Sequence, residues 1–100
     1  MVEQKNLRVV FSKEADLAFD SIIETNSLKQ SDEEVLDEIR QGRESKRTIV
    51  MSAAITMARK VAPDKVLIEL LQKHLGISFE NAEKIINDIK NKLLPLLLVY

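Results

Sequence analysis

Residues 64–94, DKVLIELLQKHLGISFENAEKIINDIKNKLL, decide the fold. Val66, Leu67, Leu70, Leu71 and Leu75 recur at spacings of three and four, which puts them on one side of a helix, and Gly76 stands where that helix needs a left-handed stop. Ser78 is a good N-cap for a further helix, in which Phe79, Ala82, Ile85, Ile86, Ile89, Leu93 and Leu94 keep helical spacing until Pro95 ends or kinks it. The link between the two, Gly76-Ile77-Ser78, is tight, so the stripes are antiparallel neighbours. Leu70, Leu71, Ile85, Ile86 and Ile89 are the expected core of this hairpin.

Upstream, Pro63 suits the first turn of the helix that begins the hairpin. Before it, Ile49, Val50, Ala53, Ala54, Met57, Ala58 and Val61 predict a helix from Thr48 to Val61, whose small side chains let another helix approach closely. Ser31 with Glu34 has capping-box spacing and opens a shorter helix from Asp32 to Gln41, expected to bury Val35, Leu36 and Ile39 and to stop at Gly42. Ser12 caps an amphipathic helix carrying Ala15, Ala18, Phe19, Ile22 and Ile23 on one face and ending near Asn26. Residues 6–11, NLRVVF, read as a strand. A lone strand needs a partner for its main-chain groups, either the same strand of a second protomer or the apolar run after Pro95. The expected fold is therefore mainly α: one small domain, residues 1–100, of about five helices with one short N-terminal β-strand. Residues 43–47 are a candidate hinge between an acidic N-terminal half and a helical C-terminal half.

At 100 residues with 45% hydrophobic and 31% charged side chains, the chain has room for one core and the composition of a soluble globular domain. It has no cysteine, one histidine and two glycines. Disulfides, thiolate metal sites, cysteine nucleophiles, a histidine-based catalytic system and a glycine-rich phosphate loop are excluded with them. No catalytic residue, metal ligand, cofactor or small-molecule substrate is inferred. Net charge is −1, yet it is uneven: −5 over residues 1–45, +4 over residues 46–75 and zero over residues 76–100. Opposite segments that face each other damp each other's fields, and the overall balance makes nucleic acid an unfavoured partner. The N-terminal residues lack an apolar targeting segment and no apolar run approaches the ~20 residues that span a bilayer, so no membrane is implied and a cytoplasmic address is expected.

Residues 67–86 resemble a helix-turn-helix, because Leu75-Gly76-Ile77-Ser78 is similar to the turn of such DNA-binding units. That resemblance implies a second helix in the major groove, with Glu80, Asn81, Glu83, Lys84 and Asn87 at the reading positions. Asn81, Lys84 and Asn87 are its base-reading candidates, whereas Glu80 and Glu83 repel phosphates. Residues 7–15 resemble the first strand and helix start of RelE/ParE-type toxins, small ribosome-dependent RNases or gyrase poisons. The resemblance ends there, because helices follow in place of that family's sheet, and no residue role transfers. The same opening fits a ribbon-helix-helix dimer, with Arg8 as the only long cation on the strand.

Glu33, Glu34, Asp37 and Glu38 lie on two helical turns without the spacing of a calcium loop and read as a solvated face. His74, with no second histidine or cysteine, reads as a structural or surface residue in the last turn of its helix, not a ligand or base. Arg43, Lys46, Arg47, Arg59, Lys60 and Lys65 form a basic middle without the aromatic residues that stack on single-stranded bases. Leu93, Leu94, Leu96, Leu97, Leu98, Val99 and Tyr100 form an apolar ending that is an aggregation hazard unless covered. Leu96, Leu97, Leu98, Val99 and Tyr100 are accordingly the candidate interaction residues. The function expected from the sequence is a non-enzymatic helical protein–protein interaction or assembly module, partnered by a second copy or another protein. The alternative is a small DNA-binding regulator using residues 67–90 or an N-terminal strand dimer.

Overall fold

Five helices follow a short strand, and the start of four of them is set by a serine. In the computed structural model, which describes residues 7–100, β1 (Val9–Phe11) leads into α1 (Lys13–Thr25), α2 (Asp32–Arg40), α3 (Lys46–Arg59), α4 (Asp64–Leu75) and α5 (Phe79–Asp88). A π-helical segment (Ile89–Leu93), a 3₁₀ turn (Leu94–Leu96) and β2 (Leu97–Val99) complete the chain. The hydroxyls of Ser12, Ser31, Ser45 and Ser78 accept from the amides of Ala15, Glu34, Thr48 and Asn81 at 3.1, 3.2, 3.2 and 3.1 Å. Ser45 is the reason α3 starts at Lys46, two residues earlier than the expected Thr48. Pro63 is the N-cap residue of α4 instead of its first helical residue, and its carbonyl accepts from Val66 and Leu67.

Four helix ends turn on a residue with positive φ: Ser27 after α1, Gly42 after α2, Lys60 after α3 and Gly76 after α4. The first ending is a Schellman motif, in which Ser27 donates to the Glu24 carbonyl and Leu28 to the Ile23 carbonyl. Leu28 and Ile23 are both buried in the core, in keeping with the hydrophobic contact that often accompanies that motif. Gly42 and Arg43 donate in the same way to Ile39 and Glu38, and Gly76 makes the simpler bond to Gln72. The stops at Gly42 and Gly76 agree with the sequence, while those at Ser27 and Lys60 carry no glycine to announce them.

The core is one cluster. Ala15, Phe19, Ile22 and Ile23 of α1, Val50, Ala53, Ala54 and Met57 of α3, Leu67, Ile68 and Leu71 of α4, and Ala82, Ile85 and Ile86 of α5 meet Leu28, Ile89, Leu93 and Leu97. The expected hairpin core needs one correction. Leu70 is 43% exposed, with Val66 also at the surface, and Ile68 takes the buried position. The α4 stripe faces α3 and α5 together, which rotates its inner line towards Leu67, Ile68 and Leu71. Phe79 and Val61 lie exposed near helix ends, where no neighbour covers them. The expectation for α2 is corrected: none of its residues is buried, Val35 is half-buried and Leu36 and Ile39 are exposed, because this helix lies on the surface.

Strand β1 is shorter than the predicted 6–11, and Asn6 lies outside the described residues. Its partner is the chain's own C-terminal run, antiparallel, with Val9 opposite Val99, Val10 opposite Leu98 and Phe11 opposite Leu97. Past Asp88 the helix widens: the Leu94 amide donates to the Ile89 carbonyl five residues back, just before Pro95, which has no amide to continue the ladder. The chain then turns extended at Leu97 and returns alongside β1.

Candidate interaction surface

The β1–β2 ribbon separates its side chains into two faces. Phe11, Val9 and Leu97 face inward, and the Phe11 ring meets Phe19 edge-on with centroids 6.3 Å apart. The register puts Val10 and Leu98 side by side on the other face, with Arg8 and Tyr100 two residues along on the same side. Leu98 is 59% and Tyr100 66% exposed. The candidate interaction residues thus divide: Leu97 is buried in the core, Leu96 is half-buried, and Leu98, Val99 and Tyr100 remain in solvent.

Apart from the ribbon, a concavity lies between α3, α4 and the end of α2. This groove of about 520 Å³ has Ile49, Ala53, Leu67 and Leu71 in its floor and Glu44 and His74 at its rim. Glu38 and Arg43, also at the rim, are joined by two hydrogen bonds of 3.1 Å from the guanidinium to the carboxylate. That pair ties the α2–α3 loop to α2 itself and leaves the groove open.

The residues placed at base-reading positions do not act together. Asn81 and Asn87 are exposed on α5. Lys84 instead donates to Asn26 Oδ1 at 3.1 Å and lies 3.6 Å from Asp88. Asn26 Nδ2 donates to Asp88 at 3.1 Å and to the Ile22 carbonyl at 2.8 Å, so these three side chains fasten the end of α1 to α5. The separation of Asn26 from Lys84 and Asp88 along the chain hides this clamp from any local motif.

Part of the basic middle is likewise engaged in the fold, through the Arg47 and Arg59 side chains and the Lys46 main chain. Arg47 pairs with Asp20 at 2.6 Å, Arg59 Nε donates to the Leu7 carbonyl at 2.8 Å, and the Lys46 amide donates to Gln30 Oε1 at 2.9 Å. Lys90, outside that segment, pairs with Asp64 at the start of α4. Of the acidic residues on α2, Glu34 closes the capping box with Ser31 and Asp37 lies 3.7 Å from Arg40. Among the described residues no three metal-ligating side chains converge, and no helix is long and apolar enough to cross a membrane. No protein-family model matches this chain, and neither the curated proteins nor the solved structures contain a match to it.

Proposed function

We propose that this protein is a non-enzymatic, cytoplasmic interaction module that docks onto a protein partner through the β1–β2 ribbon. The observation that carries the reading is the outer face of that ribbon, where Val10, Leu98 and Tyr100 stand exposed beside one another. Exposure of adjacent large apolar groups forgoes roughly 1.5–3 kcal/mol for each side chain that burial could have covered, which a docking partner recovers. The five helices serve as the support: they anchor Phe11 and Leu97 in the core and so hold the ribbon's outer face outward.

The test compares variants of the full chain. A Leu98→Lys/Tyr100→Lys double variant should lose the protein that the wild type binds, while Leu36→Lys/Ile39→Lys on α2 should retain it. Binding that survives at the ribbon variant overturns the reading. So does sequence-dependent binding of duplex DNA tighter than about 1 µM, a range beyond ordinary non-specific association.

A further inference from the structure

The two long edges of the ribbon differ. On the β1 edge the Leu7 carbonyl already accepts the Arg59 guanidinium at 2.8 Å, and Arg8 places a cation on the strand's approach. On the β2 edge the register determines which main-chain groups point away. Arg8 and Tyr100 exchange both of their hydrogen bonds, at 2.6 and 2.9 Å, so Val10 and Leu98 form the next bonded pair and the groups of Val99 and Leu97 point outward. The Leu97 amide is taken by the Leu94 carbonyl of the 3₁₀ turn. The Leu97 carbonyl and the amide and carbonyl of Val99 are left without a partner among the described residues.

Charge decides what can fill that edge. When identical strands pair about a twofold axis, side chains near the axis meet their own copies, so a charged strand repels itself. From Leu93 to Tyr100 the chain has no charged side chain, whereas β1 follows Arg8 and runs into Lys13. Only β2 suits a second copy of itself.

We infer that the β2 edge is a homodimer seam, an inference that rests on the ribbon being the docking surface. Two copies join antiparallel about an axis through Leu98 and form a four-stranded sheet in the order β1–β2–β2–β1. In this register the Val99 amide donates to the carbonyl of Leu97 of the partner subunit, and symmetry doubles the bond. The two Leu98 side chains meet across the axis in a non-hydrogen-bonded pair, and both leave solvent.

The chain has no cysteine, so Leu98→Cys carries its only thiol. Across a non-bonded antiparallel pair the α-carbons lie about 4.5 Å apart, within the range that a disulfide spans, so mild oxidation can link two copies. Leu98→Cys is expected to form the disulfide dimer, and Leu36→Cys on α2 is not. The wild type should sediment at twice the monomer mass at about 100 µM, where a weak dimer is populated by mass action. Val99→Pro removes only an outward amide, which an edge strand tolerates, and should sediment as monomer with an unchanged circular dichroism spectrum. A monomeric wild type at that concentration overturns the seam, while the docking reading is judged separately by the Leu98→Lys/Tyr100→Lys comparison. A dimer that persists in Val99→Pro and does not cross-link through Leu98→Cys also overturns it.

Discussion

The Arg47 guanidinium lies over the Phe19 ring, 4.7 Å from its centroid. Phe19 is fully buried in α1, and Arg47, in the first turn of α3, closes the top of the core while its charge meets Asp20. A cation on a ring face contributes about 0.5–1 kcal/mol at a partly exposed site, and an exposed ion pair about as much or less. Arg47→Ala is expected to lower unfolding free energy by about 1 kcal/mol and Asp20→Ala by less than about 0.5 kcal/mol in urea titrations. Equal losses at both sites would assign the effect to the ion pair and leave the ring contact without weight.

The helix ends give a pair of changes with opposite signs. Gly76 has φ of +65° and no atom within 4 Å of where a β-carbon would sit, so Gly76→Ala meets backbone strain alone. The expected cost is about 1 kcal/mol. Ser27 has φ of +58° without being glycine, and Ser27→Gly should raise stability by about 0.5–1 kcal/mol. Thermal melts of the two variants check both signs.

Along α4, burial separates neighbours. Leu71 is 1% exposed and Leu70 43%. Leu71→Ala and Ile86→Ala are expected to cost about 2–5 kcal/mol each, and Leu70→Ala less than about 1 kcal/mol, by chemical denaturation. A Leu70→Ala cost equal to that of Leu71→Ala would mean that α4 is rotated from the orientation described.

Deleting residues 96–100 removes β2, uncovers Phe11 and takes Leu97 out of the core. One buried leucine contributes about 1.5–3 kcal/mol, and in a domain of this size each kcal/mol shifts the midpoint by about 4–8 °C. A fall of roughly 10 °C or more in melting temperature is expected. An unchanged melt would show that β2 adds nothing to the folded state.

For nucleic acid, Lys84 is held by Asn26 and Asp88, and Glu80 and Glu83 stand on the same helix. Duplex DNA is expected to bind no more tightly than about 10 µM near physiological salt, with no sequence preference. Fluorescence anisotropy with wild type and an Asn81→Ala/Lys84→Ala variant checks this, and tight binding lost in that variant would contradict it.

Local chemistry determined much of this protein from sequence alone. Ser12, Ser31 and Ser78 at three helix starts, the glycines after α2 and α4, and the three-and-four spacing of the apolar residues act within one or two turns of chain, whereas the cap at Ser45 lies in a polar stretch that reads as a hinge. Five helices and an N-terminal strand were legible for that reason. The candidate interaction residues were legible as a run of apolar side chains, but not their division into a buried Leu97 and an exposed Leu98. That division depends on alternation along a strand, and the strand exists only because β1 is there to pair with. Leu70 and Ile68 differ by the rotation of α4 between two neighbours, and Leu36 and Ile39 stay exposed because nothing packs over α2. The clamp of Asn26, Lys84 and Asp88 joins groups about sixty residues apart in sequence. Spacing within a helix says which residues share a face; what that face meets is decided when the elements pack, because burial belongs to pairs of surfaces.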